Sequence, residues 1–480
     1  PASTAYSAVN VPIGQGLTFS LDYEGGAGAA MDYWYVAILV HGGRTPGAYS
    51  ASGTALLPTG GLKIPDSGQV SAILGQAPQF AAPTLSMGAT YGGGSTAGGI
   101  SVMTADASYN PLPTIRKDVA TLTAQERAAY VAAVKALKHA PSRLTPPTSN
   151  RYDDYVLVHM LAMNQITVKD RTKPITTANI TIGDMRMPMW AHQGPAFLPW
   201  HRVFLRHLER DLQAVSNNPQ LAIPYWNWAQ EASPTAVPWT DDFMGGDGKD
   251  GPVTSGPFAG RANWPLALSA DGGTQLVRGF GLYHGGDGST ARHLPSLLDM
   301  IRTLTEGTYD ATPWNEDPAL ASFRNQLEGW YLPTPPRPGG ATVGMHNLVH
   351  LWVGGNNGTM LPGSSPNDPI FFLHHANIDR LWSFWQHINT GVTFPHTPTT
   401  PFYAPTNPLP GWPGQSLHQP MVFMDPTVCT TGPWPDPPAQ PADVVSSYAL
   451  NYFFGDPLST QPAVPVTSGH ANPSPHARHR

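Results

Sequence analysis

Histidines at ligand spacing are the residues with which this sequence could do chemistry. In HNLVH, His346 and His350 are four residues apart, which on a helix stacks the two imidazoles one turn above the other on a single face. Two nitrogen donors are thereby offered to one metal ion. The doublet His374-His375 follows in NDPIFFLHHANIDRLWSFW, where Phe371, Leu381, Trp382 and Trp385 recur at helical spacing. A helix packed along that much of its length turns one histidine of the doublet inward. A lone HxxxH helix is more often structural, or half of a zinc site, and the zinc-peptidase version carries a general-base glutamate beside the first histidine. Here that neighbour is Asn347, which disfavours a zinc peptidase.

A second histidine set stands upstream. His159 lies in RYDDYVLVHMLAM, His192 in MWAHQGPAFLPWHR, and His201 nine residues after His192. Taken alone, His159 reads as a buried structural histidine on the inner face of a helix. Taken together, three and three histidines with no cysteine or carboxylate among them suit copper, whose affinity for imidazole is high.

The elements that position these rings are legible in outline. Thr123 and Glu126 form a capping box ahead of Tyr130, Val131, Val134 and Leu137, which share one helical face. Pro199 is expected to open the helix of His201, with Phe204, Leu205, Leu208 and Leu212 as its buried stripe and His207 outside it, solvated or behind the ligands. His192 falls on a loop between Trp190 and the Gly194-Pro195 turn. Gly354 and Gly355 end the HxxxH helix, and Asp368-Pro369 is expected to open the next one as N-cap and first helical residue. Leu294 to Leu304 reads as a short helix, and GQSLHQPMVFMD as a strand pair or extended segment. Residues 229–295 are rich in Gly, Pro, Asp and Ser, with His284 and His293 on loops and no EF-hand spacing among the acids.

Residues 1–110 read differently. Leu17, Phe19, Leu21 and Tyr23 alternate with polar residues, residues 33–40 form a continuous apolar and aromatic run, and glycine-rich breaks recur. The expectation is a small all-β accessory domain used for packing or oligomerisation. A mainly α catalytic domain spans residues 111–459, and residues 460–480 have the Pro/His-rich composition of a disordered tail.

Composition sets outer bounds. The 480 residues allow two or three domains, and the charged fraction of 12% is about half the usual 25%. A net charge of −6 argues against nucleic acid and anionic membranes as partners. Cys429 is the single cysteine, so no intramolecular disulfide forms and the compartment stays open between secreted and cytoplasmic. No apolar run is long enough to span a bilayer, and a soluble protein is expected.

FLPWHRVFLRHLE and NDPIFFLHHANIDRLW resemble the two copper-binding signatures of type 3 copper proteins: tyrosinases, catechol oxidases, o-aminophenol oxidases and haemocyanins. The bacterial tyrosinases look nearest, and the resemblance runs from about residue 114 to about residue 456. It implies an antiparallel four-helix bundle around two copper ions, with O2 as co-substrate and a small phenol as substrate. One copper falls to His159, His192 and His201, the other to His346, His350 and His375. His375 is preferred to His374 because relatives with one histidine here align it with the second of the pair; His374 then packs behind the ligands. Glu328, in LEGW, resembles the bacterial glutamate that with Asn347 holds a water to take the phenol proton. Phe371 is expected to pack under the site and Leu351 to stand at substrate entry, while Asp368 caps its helix and Asp379 orients a ligand or an arginine. Plant and fungal relatives carry, two residues before the His192 position, a cysteine bonded to the histidine ring. This chain has Trp190, so no thioether bridge is expected and His192 is expected to be more loosely held. The implied activity is ortho-hydroxylation of monophenols and oxidation of o-diphenols to o-quinones. A catechol or o-aminophenol oxidase is the alternative among enzymes, and a haemocyanin-like O2-binding protein the alternative outside them. A copper chaperone and a homo-oligomer are compatible with all three.

Overall fold

Caps and apolar stripes lay out the scaffold of this computed structural model, which describes residues 18–24, 67–73, 89–91, 94–96, 114–332, 343–389, 409, 411–430, 439–447, 450 and 452–455. In the N-terminal stretch, Thr18–Glu24 (β1) pairs antiparallel with Ser67–Ile73 (β2), and Ala89–Tyr91 (β3) with Gly94–Thr96 (β4). The alternation through Phe19, Leu21 and Tyr23 therefore falls on a strand. The apolar run of residues 33–40 and the 460–480 tail lie outside the described residues.

From Thr114–Lys117 (β5) onward, helices dominate. Ala124–Leu137 (α1) starts at the expected capping box: Thr123 Oγ1 accepts from Glu126 N–H at 3.2 Å, and the Glu126 carboxylate accepts from Thr123 N–H at 2.9 Å. Arg151–Met163 (α2) is buried from Arg151 to Ala162, polar residues included. Its Asp153 accordingly pairs with Lys138 at 2.6 Å, and Asp154 accepts from the hydroxyls of Ser142 and Thr148. A hairpin of Asn164–Val168 (β6) and Ile180–Met185 (β7) leads through the His192 loop to Phe197–Ser216 (α3). This helix begins two residues before Pro199. A proline in the first turn is tolerated because the first four helical N–H groups have no partner within the helix.

Short pieces fill the next stretch: Gly251–Pro252 (β8) paired with Val277–Arg278 (β9), and Gly260–Asn263 (α4). Leu297–Leu304 (α5) starts at a Ser296/Asp299 capping box rather than at Leu294. Phe323–Glu328 (α6), Met345–Gly354 (α7) and Ile370–Asn389 (α8) follow, then Pro441–Val444 (α9) and Tyr452–Gly455 (β10). Gly355 caps α7 as expected. Helix α8 begins after Asp368-Pro369, with Asp368 Oδ1 accepting from Ile370 N–H at 3.2 Å. Residues 415–424 form no strand; they run as an irregular segment whose Phe423 stacks on Trp200 at 5.0 Å, while Trp200 Nε1–H donates to Val422 O.

One apolar core joins α1, α2, α3, α7 and α8. A buried ionic knot ties its ends. Arg116 on β5 bonds Glu209 of α3 at 2.9 Å and Asp379 of α8 at 2.8 Å, and Arg202 of α3 bonds Asp379 at 2.6 Å. Tyr452 of β10, paired in parallel with β5, donates its hydroxyl to Asp379, and the Arg116 guanidinium lies 3.9 Å from the centre of its ring.

Candidate metal centre

Four helices and one loop deliver seven histidines to one place. Helix α2 presents His159, the loop His192 and α3 His201, and one nitrogen of each lies within 4.8 Å of those of the other two. Helix α7 presents His346 and His350, α8 presents His374 and His375, and these four meet the same limit. The two sets adjoin: the ring of His375 stacks on that of His201 at 4.2 Å, and His192 stands 6.0 Å from His346.

The ring nitrogens show what the sets are for. His159 Nδ1–H donates to Gly363 O at 2.6 Å, His201 Nδ1–H to Phe197 O at 2.8 Å and His350 Nδ1–H to Met360 O at 2.7 Å. A carbonyl only accepts, so each bond fixes the proton on Nδ1 and leaves Nε2 as a bare lone pair. Those three Nε2 atoms are buried with no hydrogen-bond partner. His346 Nε2 and His375 Nε2 face each other at 3.2 Å. Unpartnered buried acceptors are costly, and a cation bound among these nitrogens would satisfy them. Burial also keeps the rings neutral, as ligation requires: it pushes His159 down to about 3 and His350 to about 4, and His192, His201, His346, His374 and His375 well below the usual value. An all-imidazole, thiolate-free donor set of this kind fits copper.

The Phe371 ring lies 4.9 Å from that of His159 and 4.2 Å from that of His375. His374 lies in the second set and stacks on His346 at 5.1 Å; His375 touches both sets. Leu351 is half-buried on α7. Asn347 Oδ1 is 2.9 Å from His346 Nδ1, and the Glu328 backbone carbonyl is 3.3 Å from the same atom. The Glu328 carboxylate is fully buried between Gln193 N–H at 2.6 Å and Arg324 at 3.0 Å. Burial raises its pKa, and Arg324 works against that rise.

Asp368 and Asp379 both touch arginines: Asp368, beside its contact with Ile370 N–H, binds Arg278 through two bonds of 2.7 Å, and Asp379 belongs to the Arg116–Arg202 knot. A buried guanidinium needs a carboxylate partner, and that need claims both acids. His207 is half-buried rather than solvated, and burial with Arg210, Arg143 and Arg206 nearby pushes it down to about 3. The carbonyls of Gly363, Met360 and Phe197 that orient the rings carry no side-chain signal for a sequence reader.

Residues 149–388 match the family model described as the common central domain of tyrosinase. This chain belongs to the tyrosinase family. A tyrosinase of Streptomyces glaucescens is 40% identical over 291 residues, 60% of this chain and 88% of that protein. A tyrosinase of Streptomyces lincolnensis is 37% identical over 335 residues, 69% of this chain and 96% of its own. A grixazone synthase of Streptomyces griseus subsp. griseus is 33% identical over 317 residues, covering 61% and 88%. The match of the tyrosinase domain encloses all seven histidines, and membership implies a dinuclear copper centre. Among the described residues no helix is long and apolar enough to cross a membrane.

Proposed function

We propose that this chain is a dicopper oxidoreductase that uses O2 to hydroxylate monophenols at the ortho position and to oxidise o-diphenols to o-quinones. The observation that carries this reading is the pair of adjoining imidazole sets with bare, buried Nε2 atoms. His159, His192 and His201 would hold one copper, and His346, His350 and His375 the other. Bound there, two copper ions supply O2 binding and two-electron oxidation of the phenol. The helices α2, α3, α7 and α8 act as a four-helix bundle that fixes both ions from facing sides. Residues 111–459 carry the chemistry.

The chain's own residues do the rest. Phe371, in contact with both sets, floors the site and excludes water beneath it. Leu351, beside His350 and half-buried, borders the substrate's approach. A phenol of pKa about 10 must give up its proton before it reacts as an oxygen anion, which requires a base. Glu328 and Asn347 position a water as that base; the Asn347 amide stands beside His346, and the Glu328 carboxylate lies buried next to the His192 loop through Gln193 N–H.

A diphenol-only oxidase is the second reading, and one observation favours it. Both Glu328 oxygens are already engaged, one by Gln193 N–H and the other by Arg324. Oxygen uptake by the copper-loaded protein, offered a monophenol, its diphenol and o-aminophenol in parallel, tests both readings. Uptake with the monophenol, after a lag that a trace of diphenol removes, is expected. Uptake only with the diphenol or aminophenol moves the function to the second reading, and reversible O2 binding without turnover moves it to an oxygen carrier.

A further inference from the structure

Of the seven histidines, His192 is the one that no helix carries, and its loop is bent and pinned. Gln193 adopts a left-handed backbone with φ of 60°, which turns its N–H to the Glu328 carboxylate. The side chain of Gln415, more than two hundred residues away, closes the loop at both ends: Oε1 accepts from Ala196 N–H at 2.8 Å, and Nε2 donates to Trp190 O at 3.1 Å and Met189 O at 3.3 Å. Gly194 leaves the room for this approach, since a Cβ there would lie 2.7 Å from Gln415 Oε1 and 3.1 Å from the Trp412 ring. The Tyr309 hydroxyl donates to Pro195 O at 2.8 Å. Gln415 and Tyr309 are only 1% and 2% exposed. Loops are ordinarily the mobile part of a fold. This one moves only by uncovering several buried polar groups, each of them costly to leave unpaired.

We propose that Gln415 is a positioning residue for the metal centre, holding the loop so that His192 meets His159 and His201 without help from a helix or a covalent bridge. The expectation of a loosely held His192 considered only the missing cysteine; the hydrogen-bonded staple from residue 415 takes that task. The proposal rests on His192 being a copper ligand.

The test is a chelator challenge of the copper-loaded protein, following the release of each copper. In Gln415→Leu one copper is expected to leave roughly 10-fold to 100-fold faster, the usual effect of losing a group that orients a ligand, while the other leaves at the wild-type rate. Tyr309→Phe, which removes one hydroxyl and keeps the ring, moves the same copper by less and serves if the first variant fails to fold. Gln386→Leu alters another buried glutamine, bonded to Val445 O at 2.7 Å, and leaves both rates unchanged. Faster loss of both coppers together in Gln415→Leu, or no change in either Gln415→Leu or Tyr309→Phe, overturns the proposal. His192→Ala, assayed beside them, is expected to bind one copper per chain; two per chain would overturn the ligand assignment itself, whatever the Gln415 variants do.

Discussion

At His159, His201 and His350 the nitrogen bonded to a backbone carbonyl decides what the other can do. A carbonyl bonded to Nδ1–H makes Nε2 a permanent acceptor, and burial removes the competing proton. His375 contacts both sets and faces His346 nitrogen to nitrogen, whereas His374 stacks flat on His346. His375→Ala is therefore expected to lower bound copper from two per chain to about one, with His374→Ala keeping two; metal analysis of the purified variants decides, and the reverse pattern exchanges their roles. Glu328 is the residue whose role the geometry tests hardest, because Arg324 and Gln193 hold it in place. Glu328→Gln is expected to cut monophenol turnover by roughly 100-fold, the scale of general-base catalysis, and diphenol turnover far less. Equal losses on both substrates would remove Glu328 from proton transfer and leave it a structural partner of Arg324.

Between elements, the spacing of the two histidine sets depends on α3 and α8 staying in register. Asp379, one turn beyond His375, accepts from Arg202, the residue after His201, and from Arg116 on β5. Neutralising it takes from the buried Arg202 the carboxylate it binds, while Arg116 keeps Glu209. Asp379→Asn is expected to cost about 3–5 kcal/mol, the usual penalty for breaking a buried pair from one side, read from the denaturant midpoint of the copper-free protein. A midpoint equal to wild type would mean that β5, α3 and α8 are held by apolar packing alone. Helix starts were the least legible feature at this scale. The apolar stripes marked α3 and α8 correctly, but their first residues depend on where the preceding loop releases the chain, as Phe197 and Ile370 show.

For the whole molecule, stability also depends on buried and half-buried groups other than the histidines. Glu231 is one: burial and then the neighbouring Asp118 carboxylate hold its carboxyl well above the usual range. The folded chain thus keeps a proton that the unfolded chain releases above about pH 4, so this group's contribution falls as pH rises from there toward the folded-state value. Glu231→Gln is expected to melt higher than wild type, by a margin that widens between about pH 5 and pH 8; a margin constant with pH would mean that Glu231 is ionised in the fold. The sequence by itself determined the donors and the elements that carry them: HxxxH spacing, the HH doublet, the Thr123 capping box, the glycines after α7 and the stripe of α3. These are local properties, set by helical period and by unpaired backbone groups at helix ends. Tertiary structure alone decided which carbonyl takes each Nδ1 proton, which arginine claims Asp368 and Asp379, and what holds the His192 loop. Those partners lie 204 residues apart for His159 and Gly363, and 219 for Ala196 and Gln415. No period or spacing links positions so distant; they meet because burying the core brings their polar groups together, where each must find a partner.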